Sequence, residues 1–146
     1  MLKGIDTLLS PELLKILCEM GHGDELAVVD ANFTSESLGR GKPIVRLPGS
    51  DLYRACEAVL SVFPLDAAVE YPVGYMQVSD APAGYTSTVQ LSVVVFLQTT
   101  GLAQPEQCEA IERFKFYERV KQAYAIVQTG EMQSYANFIF KKGVIN

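Results

Sequence analysis

The chain has 146 residues, of which 49% are hydrophobic and 20% charged, and its formal net charge is -5 at pH 7. This balance is typical of one folded domain of ordinary size and not of a disordered chain. The acidic charge argues against nucleic acid or an anionic membrane as a partner. No segment approaches the ~20 apolar residues that span a bilayer, and polar residues interrupt the N-terminal segment. We therefore expect a single cytoplasmic domain over residues 1–146.

The three cysteines, Cys18, Cys56 and Cys108, are an odd number, widely spaced and without a CxxC pair. They predict neither a disulfide framework nor a zinc site. Cys18 and Cys56 fall within helical patterns, so we expect both to be small buried hydrophobic residues. The chain also has only one histidine, His22, which argues against a histidine-based metal site.

The first predicted element is a helix in "SPELLKILCEMG", residues 10–21. Its apolar positions follow helical spacing. Ser10 can cap its amino end, and Pro11 suits the first helical position. Gly21 can supply a left-handed exit at the other end.

The middle of the chain alternates short apolar runs with helical periodicity. Runs rich in valine and isoleucine predict buried strands, and apolar residues at a 3.6-residue spacing predict helices. In chain order the pattern gives strands in "ELAVVDA" and "IVRL", a helix in "SDLYRACEAVLSVFP" that Pro64 ends, a strand in "VGYMQVS" and a loop in "DAPAGYTS". The next segment, "TVQLSVVVFLQTTG", stays open, because its β-branched content favours a strand while its place in the alternation favours a helix.

The last third of the chain predicts a long helix and a final strand. In "RFKFYERVKQAYAIVQTGE" the apolar and aromatic residues keep helical spacing as far as Val127, and Gly130 can close the helix. The chain then ends with "NFIFKKGVIN", a short strand and tail. The alternation of strands and helices predicts an α/β fold, with one layered domain and a central, largely parallel sheet flanked by helices.

Standard catalytic and nucleotide-binding motifs are absent. "GRGKP" (residues 39–43) lacks the P-loop spacing, and there is no GxGxxG or GxSxG. We expect the pair Lys141–Lys142 to be a solvated strand end. Polar residues do stand at the ends of predicted elements, where α/β domains commonly bind ligands. They are His22, Asp30, Arg113, Tyr117, Tyr135 and Asn137, and each alone is also compatible with an ordinary loop, cap, solvated helix face or turn.

Three long segments resemble one known family. "SPELLKILCEMGHGDELAVVDANF", "RFKFYERVKQAYAIVQTGE" and "YANFIFKKGV" resemble the fucose mutarotase and ribose pyranase family, and the resemblance covers the chain, most weakly between residues 67 and 110. "GHGDE" and "FYER" resemble the L-fucose mutarotase branch, since the pyranase branch tends to have histidine at the position of Tyr117. Ala136, in "YAN", resembles the pyranase form instead.

The resemblance implies an isomerase that opens and closes a pyranose ring by acid–base catalysis, without a metal or organic cofactor. Histidine suits this reaction because it exchanges a proton near cellular pH. By resemblance, His22 is the proton donor, and the residues that contact the monosaccharide are Asp30, Arg113, Tyr117, Tyr135, Ala136 through its backbone, and Asn137. The family also implies a ring-like homo-oligomer, often a decamer, with sites near subunit contacts. Two other functions stay open: a D-ribose pyranase and a non-catalytic monosaccharide-binding module.

One geometric difficulty follows from these assignments. Eight residues separate His22 from Asp30, up to ~26 Å if the chain is extended. Groups at opposite ends of one strand cannot hold one small sugar. Either the loop Gly21–Gly23 folds back toward Asp30, or a neighbouring subunit completes the pocket.

Overall fold

The computed structural model describes residues 1–146, and its centre is a six-stranded sheet. The strands are β1 (Glu25–Val29), β2 (Ile44–Leu47), β3 (Val73–Met76), β4 (Cys108–Ile111), β5 (Ala125–Thr129) and β6 (Phe138–Lys141). The helices are α1 (Pro11–Glu19), α2 (Ser35–Leu38), α3 (Leu52–Leu60), α4 (Thr88–Thr99) and α5 (Arg113–Gln122), with a 3₁₀ turn at Pro105–Gln107. No helix combines the length and the apolar character needed to cross a membrane.

The strands lie in the order β2-β5-β1-β6-β3-β4. The strand β6 runs antiparallel to both of its neighbours, β1 and β3, and every other pair is parallel. The predicted fold, a largely parallel sheet flanked by helices, is therefore confirmed. Since five strands share one direction, the carboxyl ends of β1 and β3 lie at the same edge of the sheet, on either side of the start of β6.

Both faces of the sheet are covered. Along β1 the side chains alternate, so that Leu26 and Val28 join the core under α1, α3 and α4, while Ala27 and Val29 join the smaller core under α5. This two-sided burial explains why the strand reads as a continuous apolar run. The sheet thus has three helices on one face and α2 and α5 on the other.

The sequence predicted the start of α1 correctly but not its end. The Ser10 side chain accepts a hydrogen bond from the backbone N–H of Leu13, as predicted. The prediction of a left-handed exit at Gly21 is wrong, because the helix ends at Glu19, the capping residue Met20 has an extended backbone, and the positive φ occurs at Gly23. The ammonium group of Lys142 donates to the last carbonyl oxygens of the helix instead, so α1 does not need the glycine.

The prediction of a solvated strand end at Lys141–Lys142 is also wrong. Both residues are half-buried. Lys141 Nζ lies 3.5 Å from Oε1 of Glu25, its register partner on β1, and Lys142 caps α1. These lysines hold the neighbouring elements together.

The open segment 88–101 forms the helix α4. Ser87 and Gln90 make a reciprocal capping box at its start. Three of its four valines, Val89, Val93 and Val94, are buried, and Leu97 is completely buried beside them. Tertiary packing and the cap therefore outweigh the strand propensity of the valines.

The predicted long C-terminal helix is wrong beyond Gln122. The chain turns extended at Ala123, and residues 125–129 form β5 between β1 and β2, so Gly130 follows a strand. Lys42 Nζ donates to three carbonyl oxygens at the end of α5 and stabilises this stop. The strand β4 was not predicted from the sequence.

The two helical cysteines differ from each other. Cys56 is completely buried, as expected, and burial raises the pKa of its thiol. Cys18 is exposed, so the prediction for it is wrong. The reason is its position on α1, next to the buried stripe formed by Leu13, Ile16 and Leu17 and outside it.

Candidate functional site

A polar cleft of about 250 Å³ lies at the edge of the sheet where β1 and β3 end and β6 begins. Parallel α/β sheets commonly bind ligands outside the carboxyl ends of their strands, and this cleft has that position. Its size suits a small ligand, since pockets for drug-sized molecules start at roughly 300 Å³. The lining residues are Asp30, Asn32, Phe33, Met76, Arg113, Tyr117, Ser134, Tyr135 and Asn137.

The floor of the cleft is a pair of buried side chains, Asp30 and Asn137. Asn137 Nδ2 donates to Oδ2 of Asp30 over 3.0 Å, and the backbone N–H of Asp30 donates to Oδ1 of Asn137 over 2.9 Å. The other carboxylate oxygen of Asp30 accepts from the backbone N–H of Asn32. Burial raises the pKa of Asp30, although these hydrogen bonds act in the opposite direction. The carboxylate is therefore a better proton acceptor than an exposed aspartate.

The segment before Asn137 has an unusual backbone. Tyr135 has φ of +64°, in the left-handed region that few non-glycine residues adopt. Its carbonyl oxygen accepts from Asn137 N–H and from the side-chain amide of Gln90, which also donates to the carbonyl of Met76. Gln90 is completely buried and thus ties α4 to two walls of the cleft. Sequence reasoning missed Gln90, because it left this segment open between strand and helix and no local pattern marks the residue as part of a site.

The mouth of the cleft is formed by the first turn of α5. Arg113 Nε donates to the hydroxyl oxygen of Tyr117 over 2.9 Å, and its guanidinium carbon lies 5.5 Å from the centre of the tyrosine ring. The hydroxyl contact raises the pKa of Arg113, so the side chain stays cationic. The ring of Phe33 packs edge-on against Tyr117 at 5.7 Å. An exposed cation and an aromatic face therefore stand opposite the buried carboxylate.

Ala136 lies next to the cleft, but its side chain does not line it. The methyl group is completely buried in the large core on the α4 face of the sheet. The residue as a whole is 0% exposed, so the contact through its backbone that the family resemblance implies stays a prediction.

His22 lies at the opposite edge of the sheet. It precedes the start of β1, whereas Asp30 follows the end, and the strand between them spans roughly 16 Å. The loop does not fold back, because Gly23 N–H donates to the carbonyl of Lys142 beyond the end of β6. Nε2 of His22 lies 3.1 Å from Oδ2 of Asp66. The first explanation, in which the loop Gly21–Gly23 folds back toward Asp30, is therefore wrong.

Within one chain, the structure brings together five of the predicted side chains, places Ala136 beside them without lining the cleft, and leaves His22 outside. The sequence did not indicate the lining residues Asn32, Phe33, Met76 and Ser134, since they belong to ordinary turn and core types. No group of three or more His, Cys, Asp or Glu side chains is arranged to hold a metal ion.

The donor and acceptor groups of the cleft fit a small, hydroxylated, uncharged ligand. Asp30 accepts hydrogen bonds, Arg113 donates them, and the hydroxyls of Tyr117 and Tyr135 can do both. The fold and this site define an α/β protein with a polar, monosaccharide-sized cleft at the carboxyl edge of its sheet.

The chain belongs to the RbsD / FucU transport protein family, whose sequence profile matches residues 3–145. It is similar to the fucose mutarotase of Bos taurus, with 44% identity over 99% of this chain and 94% of that protein. It also resembles the crystal structure of the fucose mutarotase in complex with L-fucose from Streptococcus pneumoniae. That structure has a TM-score of 0.89 and 36% identity, over 99% of this chain and 100% of the other. The family expected from the sequence is confirmed.

The ribose branch is more distant. The structure of Bacillus subtilis RbsD complexed with D-ribose matches with a TM-score of 0.74 over 100% of both chains, but the identity is only 21%. At this level of identity the match shows a shared fold alone.

Proposed function

We propose that this protein is an isomerase, a mutarotase that interconverts the α and β anomers of L-fucose. The observation that carries the proposal is the identity to fucose mutarotases, 44% and 36% over nearly the whole chain. The polar cleft supports it independently, because its groups suit sugar hydroxyls.

Mutarotation needs two proton transfers. The ring oxygen takes a proton as its bond to the anomeric carbon breaks, and the anomeric hydroxyl loses a proton as the carbonyl forms. Asp30 is the proton acceptor in our proposal, because its carboxylate is buried at the cleft floor and its pKa is raised by burial. Arg113, Tyr117, Tyr135, Asn137 and the backbone of Ala136 hold the sugar.

The proton donor in our proposal is His22 of a neighbouring subunit. Within one chain His22 and the cleft lie at opposite edges of the sheet, so one residue cannot serve its own cleft. We infer a head-to-tail, heterologous contact between the two edges, and such contacts form a ring where the rotation between subunits closes. This supports a homo-oligomer with its sites between subunits, and the family resemblance makes it a decamer. Exposed apolar side chains such as Leu91, Val95 and Phe114 provide surface for subunit contacts.

We place the protein in the cytoplasm. The three cysteines are unpaired, which suits a reducing compartment.

Exchange NMR tests the proposed reaction. Saturating the anomeric proton of α-L-fucose should reduce the β signal rapidly in the presence of the protein. The His22→Gln variant should fold normally, because the residue is exposed in a glycine-flanked loop, but should not accelerate the exchange. Binding of L-fucose without faster exchange in the wild-type protein would contradict the proposal and favour the binding module.

The alternative function, a D-ribose pyranase, was based on the resemblance of Ala136 to the pyranase form. Because its methyl group packs into the core and not into the cleft, the change from glycine to alanine does not act on the sugar by direct contact. The residue that does line the cleft, Tyr117, resembles the fucose branch. L-fucose is therefore the favoured substrate.

A further inference from the structure

The loop that carries His22 is held by two other segments of the chain. Gly23 N–H donates to the carbonyl of Lys142, and the backbone N–H of Asp66 donates to the carbonyl of Lys141. Leu65 forms a β-bridge with Lys142. The histidine therefore stands on a fixed frame, although its own side chain is 54% exposed.

Asp66 is the group within this frame that contacts the imidazole. Its side chain is only 6% exposed, so few orientations are open to it. Oδ1 accepts from the backbone N–H of Ala68 over 3.0 Å, and Oδ2 lies 3.1 Å from Nε2 of His22. The Ala68 hydrogen bond, and secondly the contact with His22, lower the pKa of Asp66. The carboxyl group is therefore ionised at neutral pH.

An ionised carboxylate can only accept hydrogen bonds. Nε2 of His22 must therefore carry the hydrogen in this contact, and the lone pair of the neutral ring must reside on Nδ1. No protein group within the same chain hydrogen-bonds Nδ1. The other charge that acts on Asp66 is Lys141, whose ammonium group lies 3.5 Å from Oε1 of Glu25.

We propose that Asp66 is a positioning residue for His22. Its carboxylate accepts a hydrogen bond from Nε2, so that Nδ1 is the atom that exchanges the proton with the sugar. The proposal rests on the proposed function. In ring opening, the cationic form of His22, which carries a hydrogen on both nitrogens, gives the proton on Nδ1 to the ring oxygen and becomes the neutral ring with its hydrogen on Nε2. The ring oxygen keeps the electron pair of its broken bond to the anomeric carbon. The anomeric hydroxyl loses its proton to Asp30, and its electron pair forms the carbonyl. Ring closure on either face reverses both transfers.

The tautomer can be measured directly, because His22 is the only histidine in the chain. Long-range ¹H–¹⁵N spectra, recorded where the ring is neutral, should show a protonated Nε2 and an unprotonated Nδ1 in the wild-type protein. In Asp66→Asn the amide NH₂ can donate to Nε2, so the hydrogen should move to Nδ1. Asp24→Asn is the matched control, because Asp24 accepts from Gly21 N–H in the same loop but does not contact the ring. It should keep the wild-type tautomer.

The second arm measures exchange of L-fucose. Asp66→Asn should lower kcat by about tenfold or more with little change in KM, since an oriented acid–base group contributes ~10²–10⁴-fold. In the His22→Gln background the same substitution should cause no further loss, because Asp66 acts only through His22.

The two arms separate the possible failures. A mixed tautomer in the wild-type protein, unchanged exchange in Asp66→Asn, or a further loss in the double variant would each overturn the role of Asp66. No exchange by the wild-type protein would overturn the proposed function, and the role of Asp66 in proton transfer with it, whatever the tautomer.

Discussion

Asp30 and Asn137 are separated by 107 residues in the sequence, yet two hydrogen bonds of 2.9 and 3.0 Å join them at the floor of the cleft. They meet because β1 and β6 are antiparallel neighbours, so that the end of β1 lies beside the start of β6. The sheet topology thus creates the site.

The variant Asp30→Asn should lose activity while its stability stays nearly unchanged. The change removes a buried charge, which is favourable, but it also removes one acceptor for Asn32 or Asn137, which costs about 1 kcal/mol. The free energy of unfolding should therefore change little at neutral pH, whereas exchange should fall at least ~10²-fold with the loss of the base. Urea denaturation and exchange NMR measure the two effects.

The difference in stability between Asp30→Asn and the wild type should also depend on pH, in a direction that follows from the pKa of Asp30. The pKa of Asp30 is raised in the native state, so the native carboxyl binds a proton more tightly than the unfolded one. Its contribution to stability is complete below the unfolded pKa, about 3.9, and decreases as the pH rises through the native pKa. The variant should therefore gain stability relative to the wild type as the pH rises from about 4. A relative loss over that range would contradict the assignment.

Tyr117→Phe tests the mouth of the cleft. The ring stays in place against Phe33, but Arg113 loses the hydroxyl that accepts from Nε. We expect KM for L-fucose to rise several-fold, while stability stays within about 0.5 kcal/mol because the hydroxyl contact is exposed. Titration kinetics by exchange NMR provide the measurement. As a control, Arg54→Lys alters an arginine that pairs with Asp6 outside the cleft and should leave KM unchanged.

Gln90→Met tests the support behind the cleft. The substitution keeps the side-chain length but removes both hydrogen bonds to the carbonyls of Met76 and Tyr135. We expect a loss of about 2 kcal/mol in stability and a raised KM, since the buried carbonyl of Met76 loses the amide of Gln90 and the carbonyl of Tyr135 keeps only the N–H of Asn137. The control is Ser87→Ala, which breaks the same capping box from the other side and should cost about 1 kcal/mol. If both variants change KM equally, Gln90 acts only through the helix start.

Sugar preference gives a further prediction. L-fucose should exchange faster than D-ribose in the wild-type protein. Ala136→Gly should alter the ratio of the two rates by less than about tenfold, since it removes a core methyl group and acts on the sugar only through the backbone. Faster exchange of D-ribose in the wild-type protein would reverse the assignment of substrate.

The sequence predicted the elements in which local signals agree. Ser10, Pro11 and an apolar stripe indicate α1, and the valine-rich run indicates β1. The prediction was open or wrong where two local signals conflict, as in α4, and where a helical spacing continues past the end of the helix, as in α5. The valines of α4 favour a strand, and the helical spacing of α5 continues into β5 although tertiary pairing ends the helix at Gln122.

For the site, too, the sequence indicated some of the residues and missed others. The sequence marked Asp30, Arg113, Tyr117, Tyr135 and Asn137 as polar residues at the ends of predicted elements, and the resemblance gave them a role. The fold brings them into one cleft. The positions of Gln90 and Asp66 follow from contacts between distant segments, which no local pattern encodes. The separation of His22 from the cleft was foreseen as a difficulty, but only the geometry of the loop decided between its two solutions.

The most direct test of the central claim is complementation between two inactive variants. His22→Gln keeps an intact cleft, and Asp30→Asn keeps an intact histidine. If one site uses both subunits, co-expressed random mixtures should recover about a quarter of the wild-type exchange rate of L-fucose, because one site in four pairs the two intact halves. Wild type mixed with the double variant should also give about a quarter, whereas a site within one subunit would give about half. No exchange above that of the separate variants would contradict the account.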